Sequence, residues 1–98
     1  MVGNYNSIGG ITLRIRKQAL GDRNIIGAKV EAIRKEKGMK QKDLLAKLEI
    51  RGIELDASGL SKLEGQIRCV TDKELLALSQ ELDVSVDWLL ENEKNKSL

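Results

Sequence analysis

The residues of this chain that are candidates for binding a ligand are cations and hydrogen-bonding side chains that lie between positions 40 and 68. The 98 residues include no histidine and a single cysteine, Cys69, so the usual general base and the usual zinc ligand are missing. The thiol has no imidazole to activate it, and one cysteine excludes an intrachain disulfide. The sequence therefore indicates a binding protein rather than an enzyme, with no metal and no cofactor.

Basic residues are unevenly distributed along the chain, although the net charge is only +2. Residues 1–69 carry 14 Lys and Arg against 8 Asp and Glu, whereas residues 70–98 carry 3 against 7. A basic region suits a polyanion, because each phosphate contact releases condensed counterions. The alternative is ordinary solvated surface charge without a ligand.

Two short helices joined by a turn are predicted between Gln41 and Glu64. Leucines recur at helical spacing in both halves, namely Leu44, Leu45 and Leu48, then Leu60 and Leu63. Gly52 can end the first helix, and Asp56 can cap the second by accepting hydrogen bonds from its free amides. Each helix has one narrow apolar stripe that must pack against other elements, and the pattern is typical of a helix-turn-helix.

The second of these helices has an outward face that could contact a ligand. A helical wheel centred on Leu60 and Leu63 places there Ala57, Ser58, Gly59, Ser61 and Lys62. Only the serines and the lysine have side chains that form hydrogen bonds, so direct contacts should be few. The alternative for each of the three is solvated helix surface.

The preceding helix is predicted from about Asn24 to Lys37, with Gly38 as its stop. Its outer face is expected to carry Lys29, Arg34, Lys35 and Lys37. The next helix begins near Lys40 or Gln41 with a poor cap, because Lys40 offers no acceptor to the free amides. Those amides and the helix dipole favour an anionic oxygen at this position.

Two more helices are predicted after the helix-turn-helix. Thr71 and Glu74 form a capping box for a helix over about 72–82. Ser85 then caps a shorter helix over about 86–92.

The N-terminal extension is predicted to contain a strand. Residues 1–10 have three glycines and no apolar period, and we expect them to be mobile. Residues 11–16 alternate apolar and polar side chains, which favours a half-buried strand. A helix lined by Ile8, Ile11, Ile15 and Ala19 is the alternative. Since one strand cannot stand alone, it should pair with a second copy or lie as an arm on the domain. Such an arm would serve dimerisation or DNA contact, unless the extension is only a frayed leader.

One domain is predicted over residues 24–92, after the extension at 1–23 and before a polar tail at 93–98. Apolar residues make up 41% of the chain with one Trp, one Tyr and no Phe, which indicates a Leu/Ile/Val core between helices. The absence of a signal peptide and of an apolar run of membrane-spanning length favours the cytoplasm and no membrane partner.

Residues 24–90 resemble the Cro/C1-type helix-turn-helix domain of the Xre family, which includes phage repressors and small bacterial regulators. Three segments carry the resemblance: Gln41-x-x-Leu44, Leu60-Ser-Lys-Leu-Glu64 followed by glycine, and Leu82-x-Val-Ser-Val-x-Trp-Leu-Leu90. The resemblance implies an all-α, five-helix, lambda-repressor-like fold whose third helix lies in the major groove.

The resemblance also implies roles for individual residues. Arg34 in the first helix and Glu64 at the end of the third should form the family's structural ion pair, and Gln41 should contact a backbone phosphate. The residues predicted to bind DNA are Lys40, Gln41, Ala57, Ser58, Ser61, Lys62 and Arg68. Among them, Lys62 is expected to discriminate bases by donating to guanine O6 and N7.

Four features depart from the family pattern. The loop between the second and third helices is several residues longer, so the angle between them could differ. Lys40 replaces the usual Thr or Ser cap, and Gly65-Gln66 replaces the commoner order with glycine second. The most consequential departure is the outward face of the third helix, where only three of five positions have a hydrogen-bonding side chain. Gly59 on that face also costs roughly 1 kcal/mol relative to Ala in a helix interior, which suggests close backbone approach to helix two or to DNA.

These features favour a sequence-specific, DNA-binding transcriptional regulator that acts as a homodimer, and more specifically a repressor. Two alternatives stay open. One is the DNA-binding antitoxin of a toxin-antitoxin pair, with a terminal segment that binds the toxin. The other is an adaptor whose helical surface binds a protein, although the basic first 69 residues favour DNA over a pure adaptor.

Overall fold

A computed structural model of the chain describes residues 24–91 and two short strands before them. The strands are β1 (Tyr5–Ile8) and β2 (Ile11–Arg14). The helices are α1 (Gly27–Glu36), α2 (Gln41–Ile50), α3 (Ala57–Glu64), α4 (Asp72–Leu82) and α5 (Val86–Leu90). These five helices confirm the predicted all-α domain. Within the described residues, no helix is long and apolar enough to cross a membrane, and no three potential metal ligands come together.

One apolar core holds the five helices together. Its buried members are Ile26, Val30, Ile33, Leu44, Leu48, Leu60, Leu63, Ala77, Leu78, Leu82 and Leu89. All but one of the leucines predicted to line α2 and α3 are fully buried, and the exception, Leu45, packs at the edge of the core. The long loop between α2 and α3 also packs onto the core through Ile53 and Leu55.

The predicted helix caps are present. The Asp56 carboxylate accepts a hydrogen bond from Gly59 N at 2.7 Å, which caps α3. Before α4, Thr71 Oγ1 accepts from Glu74 N at 3.1 Å, and Thr71 N donates to the Glu74 carboxylate at 3.0 Å. Ser85 caps α5 in the same way as Asp56 caps α3. Because each cap satisfies amides that have no partner inside the helix, the caps fix where these three helices begin.

Two helix boundaries differ from the prediction. Helix α1 begins at Gly27 and not near Asn24, because the Asn24 side-chain oxygen accepts a hydrogen bond from Gly27 N at 2.9 Å and so precedes the helix. Helix α5 ends at Leu90, two residues earlier than predicted, because Glu91 takes an extended conformation.

The N-terminal extension contains a hairpin in place of a lone strand. Strands β1 and β2 pair antiparallel, with Tyr5 opposite Arg14 and Ile8 opposite Ile11, and β2 lies beside α1. Strand β2 thus pairs within the chain and lies against α1, which agrees with the alternative of an arm on the domain, and residues 5–8, which were expected to be mobile, form the first strand. Gly9-Gly10 separates the strands, and this dipeptide is a known hairpin signal that the prediction did not use. The rest of the extension and residues 92–98 lie outside the described residues.

Lys29 lies inside the domain and not on the outer face predicted for it. It is 2% exposed, its Nζ donates to the Trp88 carbonyl at 2.6 Å and to the Glu91 carbonyl, and it lies 5.0 Å from the Trp88 ring centroid. Its position next to Ile26 and Ile33 on the wheel outweighs its charge, because a lysine stem packs like an apolar side chain while its ammonium finds acceptors.

Candidate nucleic-acid interface

Helix α3 has a buried side and an exposed side. Leu60 and Leu63 are fully buried against the other helices. On the opposite side, the structure exposes Ala57, Ser58, Ser61 and Lys62. Four of the predicted DNA-binding residues therefore share one open face, which we call the exposed face of α3.

Arg34 and Glu64 form a buried ion pair between α1 and the end of α3. Arg34 Nε donates to Glu64 Oε2 at 2.7 Å and Nη2 donates to Oε1 at 3.0 Å, so the pair is bidentate. Arg34 Nη1 also donates to the Met39 carbonyl at 2.8 Å. The two side chains are only 8% and 2% exposed, and the hydrogen bond to Glu64 raises the pKa of Arg34 despite burial. The placement of Arg34 on the outer face of α1 is therefore wrong.

Gln41, the first residue of α2, is bound to α3 through its side chain. Its Nε2 donates to Glu64 Oε1 at 3.0 Å, and its Oε1 accepts from Ser61 Oγ at 3.3 Å. One of its two amide hydrogens goes to Glu64, which leaves the other to donate elsewhere. The start of α2 and the exposed face of α3 are thus linked by hydrogen bonds.

The start of α2 is exposed and only partly capped. Lys40 occupies the N-cap position, and its ammonium has no lone pair to offer the helix amides. The Asp43 carboxylate accepts a hydrogen bond from Lys40 N at 3.0 Å and so supplies half of a capping box. A phosphate at this helix start would meet free amides and the Lys40 charge, but also the negative charge of Asp43.

Two residues that the prediction did not single out join α1 to the end of α3. Asn24 is 3% exposed, and its Nδ2 donates to the carbonyls of Leu63 at 2.9 Å and Arg68 at 2.8 Å. Gly27 lies so close to α3 that a Cβ there would be 2.2 Å from Leu63 O. Asparagine before a helix is a capping signal that could have identified Asn24. The close approach of Gly27 leaves no signal in a single sequence.

Arg68 is paired with α4. Its guanidinium donates to both Glu74 carboxylate oxygens, at 3.1 and 3.2 Å. Burial raises the pKa of Glu74, but the hydrogen bonds from Arg68 and Thr71 outweigh it, so the pKa of this carboxyl lies below its ordinary value. Arg68 thus differs from the exposed lysines, because a buried carboxylate already neutralises its charge.

Two glycines near α3 differ in what surrounds them. A Cβ at Gly59 would lie 2.8 Å from Leu55 Cδ1 and 3.1 Å from Asp56 Oδ1, so its closest neighbours precede α3 and do not belong to helix two, while the alternative of a close approach to DNA stays a prediction. After α3 the left-handed conformation falls on Gln66, with φ of 65°, while Gly65 has φ of −79°. Glycine normally occupies such a position, since other residues pay a steric cost there.

Exposed lysines lie around the start of α2 and on α3. Residues 24–69 carry 10 Lys and Arg against 7 Asp and Glu, but Lys29 and Arg34 are buried. The exposed lysines around the start of α2 and on α3 are Lys37, Lys40, Lys42 and Lys62. A polyanion would therefore be attracted to the side of the domain where α2 begins and α3 is exposed.

A protein-family model described as helix-turn-helix matches residues 30–89, which is more than half of the chain. The match begins within α1 and ends within α5, so it includes α2 and α3 completely. No curated protein and no solved structure matches the chain. Asn24 and Gly27, which join α1 to α3, precede the matched region.

Proposed function

Because the chain belongs to the Cro/C1-type helix-turn-helix family, we propose that it is a transcriptional regulator that binds a specific DNA sequence with α3 in the major groove. The family match supports DNA binding in general. The observation that carries the finer proposal is the exposed face of α3, where Ser58, Ser61 and Lys62 lie opposite a fully buried leucine stripe. A helix presented in this way fits the width of the major groove.

Base contacts and phosphate contacts fall to different residues in this proposal. Lys62 donates to guanine O6 and N7, and Ser58 and Ser61 add weaker base contacts. Gln41 donates its remaining amide hydrogen to a backbone phosphate, and Lys40 attracts a phosphate by charge. These phosphate contacts supply affinity without sequence information, whereas Lys62 supplies discrimination.

Ala57 and Arg68, which the sequence also predicts to bind DNA, have different roles in this proposal. Ala57 has no hydrogen-bonding group and contributes apolar contact, such as packing against a thymine methyl. Arg68 is left out of the proposed contacts, because its guanidinium is bound to Glu74 in a bidentate pair.

We further propose that the protein is a homodimer that represses transcription in the cytoplasm and has no catalytic activity. Dimers of helix-turn-helix domains place two recognition helices in successive major grooves, one DNA turn apart. We propose repression because a dimer bound to DNA sterically excludes other proteins from the same site.

Selection of bound sequences from a random DNA pool tests this proposal. We expect a two-fold symmetric consensus, with an affinity whose logarithm falls linearly with the logarithm of salt concentration. A chain that selects no sequence and shows no salt-sensitive binding would instead be an adaptor. Selection of a consensus together with capture of a toxin would favour the antitoxin alternative.

Sedimentation measurements test the homodimer and the role of the extension. We expect the full chain to sediment as a dimer at concentrations that saturate DNA. Deletion of residues 1–20 should leave the helices folded but weaken self-association or DNA affinity. Unchanged dimerisation and binding would show that the extension is only a leader.

A further inference from the structure

We propose that hydrogen bonds from the buried ion pair fix the Ser61 hydroxyl as an acceptor towards DNA, so that Ser61 selects a base with an amino group. The inference rests on the proposed function, since it concerns the base that this residue reads. Its basis is an ordered set of contacts that runs from Arg34 through Glu64 and Gln41 to Ser61.

Glu64 determines which atom donates and which accepts in each of these hydrogen bonds. Its Oε1 accepts from Arg34 Nη2 at 3.0 Å and faces the side-chain amide of Gln41, also at 3.0 Å. A guanidinium only donates and a carboxylate only accepts. The Gln41 atom that faces Glu64 must therefore be the amide nitrogen, although nitrogen and oxygen of a glutamine amide have nearly the same shape.

The orientation of Gln41 then decides the orientation of Ser61. With its nitrogen on Glu64, Gln41 turns its carbonyl oxygen towards Ser61 Oγ, at 3.3 Å. A carbonyl oxygen only accepts, so the serine hydroxyl must donate. Serine has a single hydroxyl hydrogen, and here that hydrogen points at Gln41. What Ser61 offers to a ligand on the exposed face is its oxygen lone pairs.

A hydroxyl that can only accept does not treat the four bases alike. In the major groove, adenine N6 and cytosine N4 donate hydrogen bonds, whereas thymine O4 and guanine O6 accept them. Ser61 should therefore favour adenine or cytosine over thymine or guanine at the base it faces. A freely rotating hydroxyl would bind either kind, because it can both donate and accept. Gln41 is thus a positioning residue for base selection, although it contacts only a phosphate in the proposed complex.

Ser58 provides a comparison within the same helix. It lies on the exposed face of α3 like Ser61, but it is Ser61 that donates to the Gln41 carbonyl. Removal of Gln41 should therefore change the base preference at the position that Ser61 faces and leave the position that Ser58 faces unchanged.

Sequence selection with the full chain and three variants tests the inference. The unmodified chain should select adenine or cytosine at one position of each half-site, and Ser61→Ala should lose that preference there alone. Gln41→Ala should lower the same preference several-fold, because the released hydroxyl can also donate, while it weakens binding to all sequences. Ser58→Ala should leave that position unchanged. A preference that survives Gln41→Ala but disappears in Ser61→Ala would overturn the inference, as would a Ser61→Ala variant with an unaltered consensus.

A measurement without DNA separates this inference from the proposed function. In the free protein, the side-chain amide hydrogen of Gln41 that is bound to Glu64 should exchange with solvent more slowly than that of a solvated glutamine. Specific DNA binding with an amide that exchanges like a solvated one would overturn the inference and leave the proposed function standing. A protected amide in a protein that binds no DNA would overturn the proposed function and the base preference together.

Discussion

The side chains at the end of helix α3 and those on its exposed face differ in the number of hydrogen bonds that hold them. At its end against α1, Glu64 is 2% exposed and accepts from both Arg34 and Gln41. On its exposed face, Ser58 and Lys62 are open to solvent, and Ser61 makes a single bond of 3.3 Å to Gln41. One short helix thus serves the fold at its end and remains available for binding along its side.

The bonds at the end of α3 explain how a small domain can hold the exposed face of that helix in a fixed orientation. The α1–α3 contact, formed by Asn24, Gly27, Arg34, Leu63 and Glu64, leaves little freedom for the helix backbone to move. Among the described residues, every buried side-chain nitrogen and oxygen has a hydrogen-bond partner. Changes in the α1–α3 contact should therefore affect folding, and changes on the exposed face should affect binding alone.

Glu64→Ala should have the largest effect, a loss of about 3 to 5 kcal/mol in the free energy of unfolding. The substitution leaves the Arg34 guanidinium buried without its carboxylate, and Gln41 loses its acceptor. Urea unfolding followed by circular dichroism measures the loss. The double variant Arg34→Met with Glu64→Leu should cost less than Glu64→Ala, since it leaves no unpaired charge. An unchanged unfolding free energy for Glu64→Ala would show that the pair adds nothing to stability.

Gly27→Ala should destabilise the domain by about 2 kcal/mol or more, because the new methyl group meets a backbone carbonyl that cannot move aside. Gly59→Ala is the matched control, since it makes the same change in another helix. There the methyl group meets the flexible end of Leu55, and the gain in helix propensity, about 1 kcal/mol, offsets much of the strain. Equal melting temperatures for the two variants would contradict the close approach of α1 to α3.

Lys62→Ala should cost about 1 to 3 kcal/mol in binding to the selected sequence and much less on random DNA. Because Lys62 is exposed, the unfolding free energy should stay the same. Titrations on both DNAs across a salt series measure the effect, and Lys73→Ala in α4 is a control for the loss of one positive charge. If Lys62→Ala weakened both DNAs equally and lowered the salt slope by about one, the lysine would be a phosphate contact.

Glu74→Gln should lower the unfolding free energy at neutral pH by about 1 kcal/mol, and it should make that free energy less dependent on pH. The pKa of Glu74 is lower in the folded chain than the ordinary value of about 4.3. Its charge therefore stabilises the fold above that ordinary pKa, and the stabilisation is lost as pH falls through the folded pKa. The unfolding free energy, measured with urea at several pH values below neutral, should fall less steeply with falling pH in the variant than in the unmodified chain. The same pH dependence in both proteins would mean that the pKa of Glu74 does not change on folding.

Gln66→Gly should have the smallest effect, a change of no more than about 0.5 kcal/mol in stability, because two opposing terms nearly cancel. Glycine removes the steric cost of the left-handed conformation, about 1 kcal/mol, but loses the hydrogen bond from Gln66 Nε2 to Asn24 O at 3.2 Å. Gln66→Ala keeps the strain and loses the bond, so it should be destabilising. Thermal unfolding of both variants measures the difference, and a glycine variant less stable than the alanine variant would show that this strain is absent.

The parts of the fold that depend on neighbours in sequence could be predicted. Asp56, Thr71 and Ser85 cap their helices as predicted, because a cap is a contact between residues three apart in the chain. Helix α4 has the predicted bounds for the same reason. The hairpin was missed although Gly9-Gly10 signals it, because residues 5–8 show no apolar alternation of their own.

The parts that depend on distant contacts could not be predicted. Asn24 donates to the carbonyl of Leu63, 39 residues away, and Gly27 matters only because α3 lies against it. In the candidate site, the wheel predicts which side of α3 is exposed. It does not predict that Gln41 bonds with Ser61, because that contact depends on the angle between α2 and α3.

The contact of Lys29 with the end of α5 also shows that the two ends of the helical domain lie close together. Lys29 lies in the first turn of α1, and its side chain reaches the carbonyl of Glu91, just past the last helix. The first turn of α1 and the end of α5, which lie near the two ends of the helical domain, are therefore within one side chain's reach of each other. A domain with adjacent ends can be inserted into a surface loop of a host protein, or closed into a ring by a short peptide, without stretching its helices.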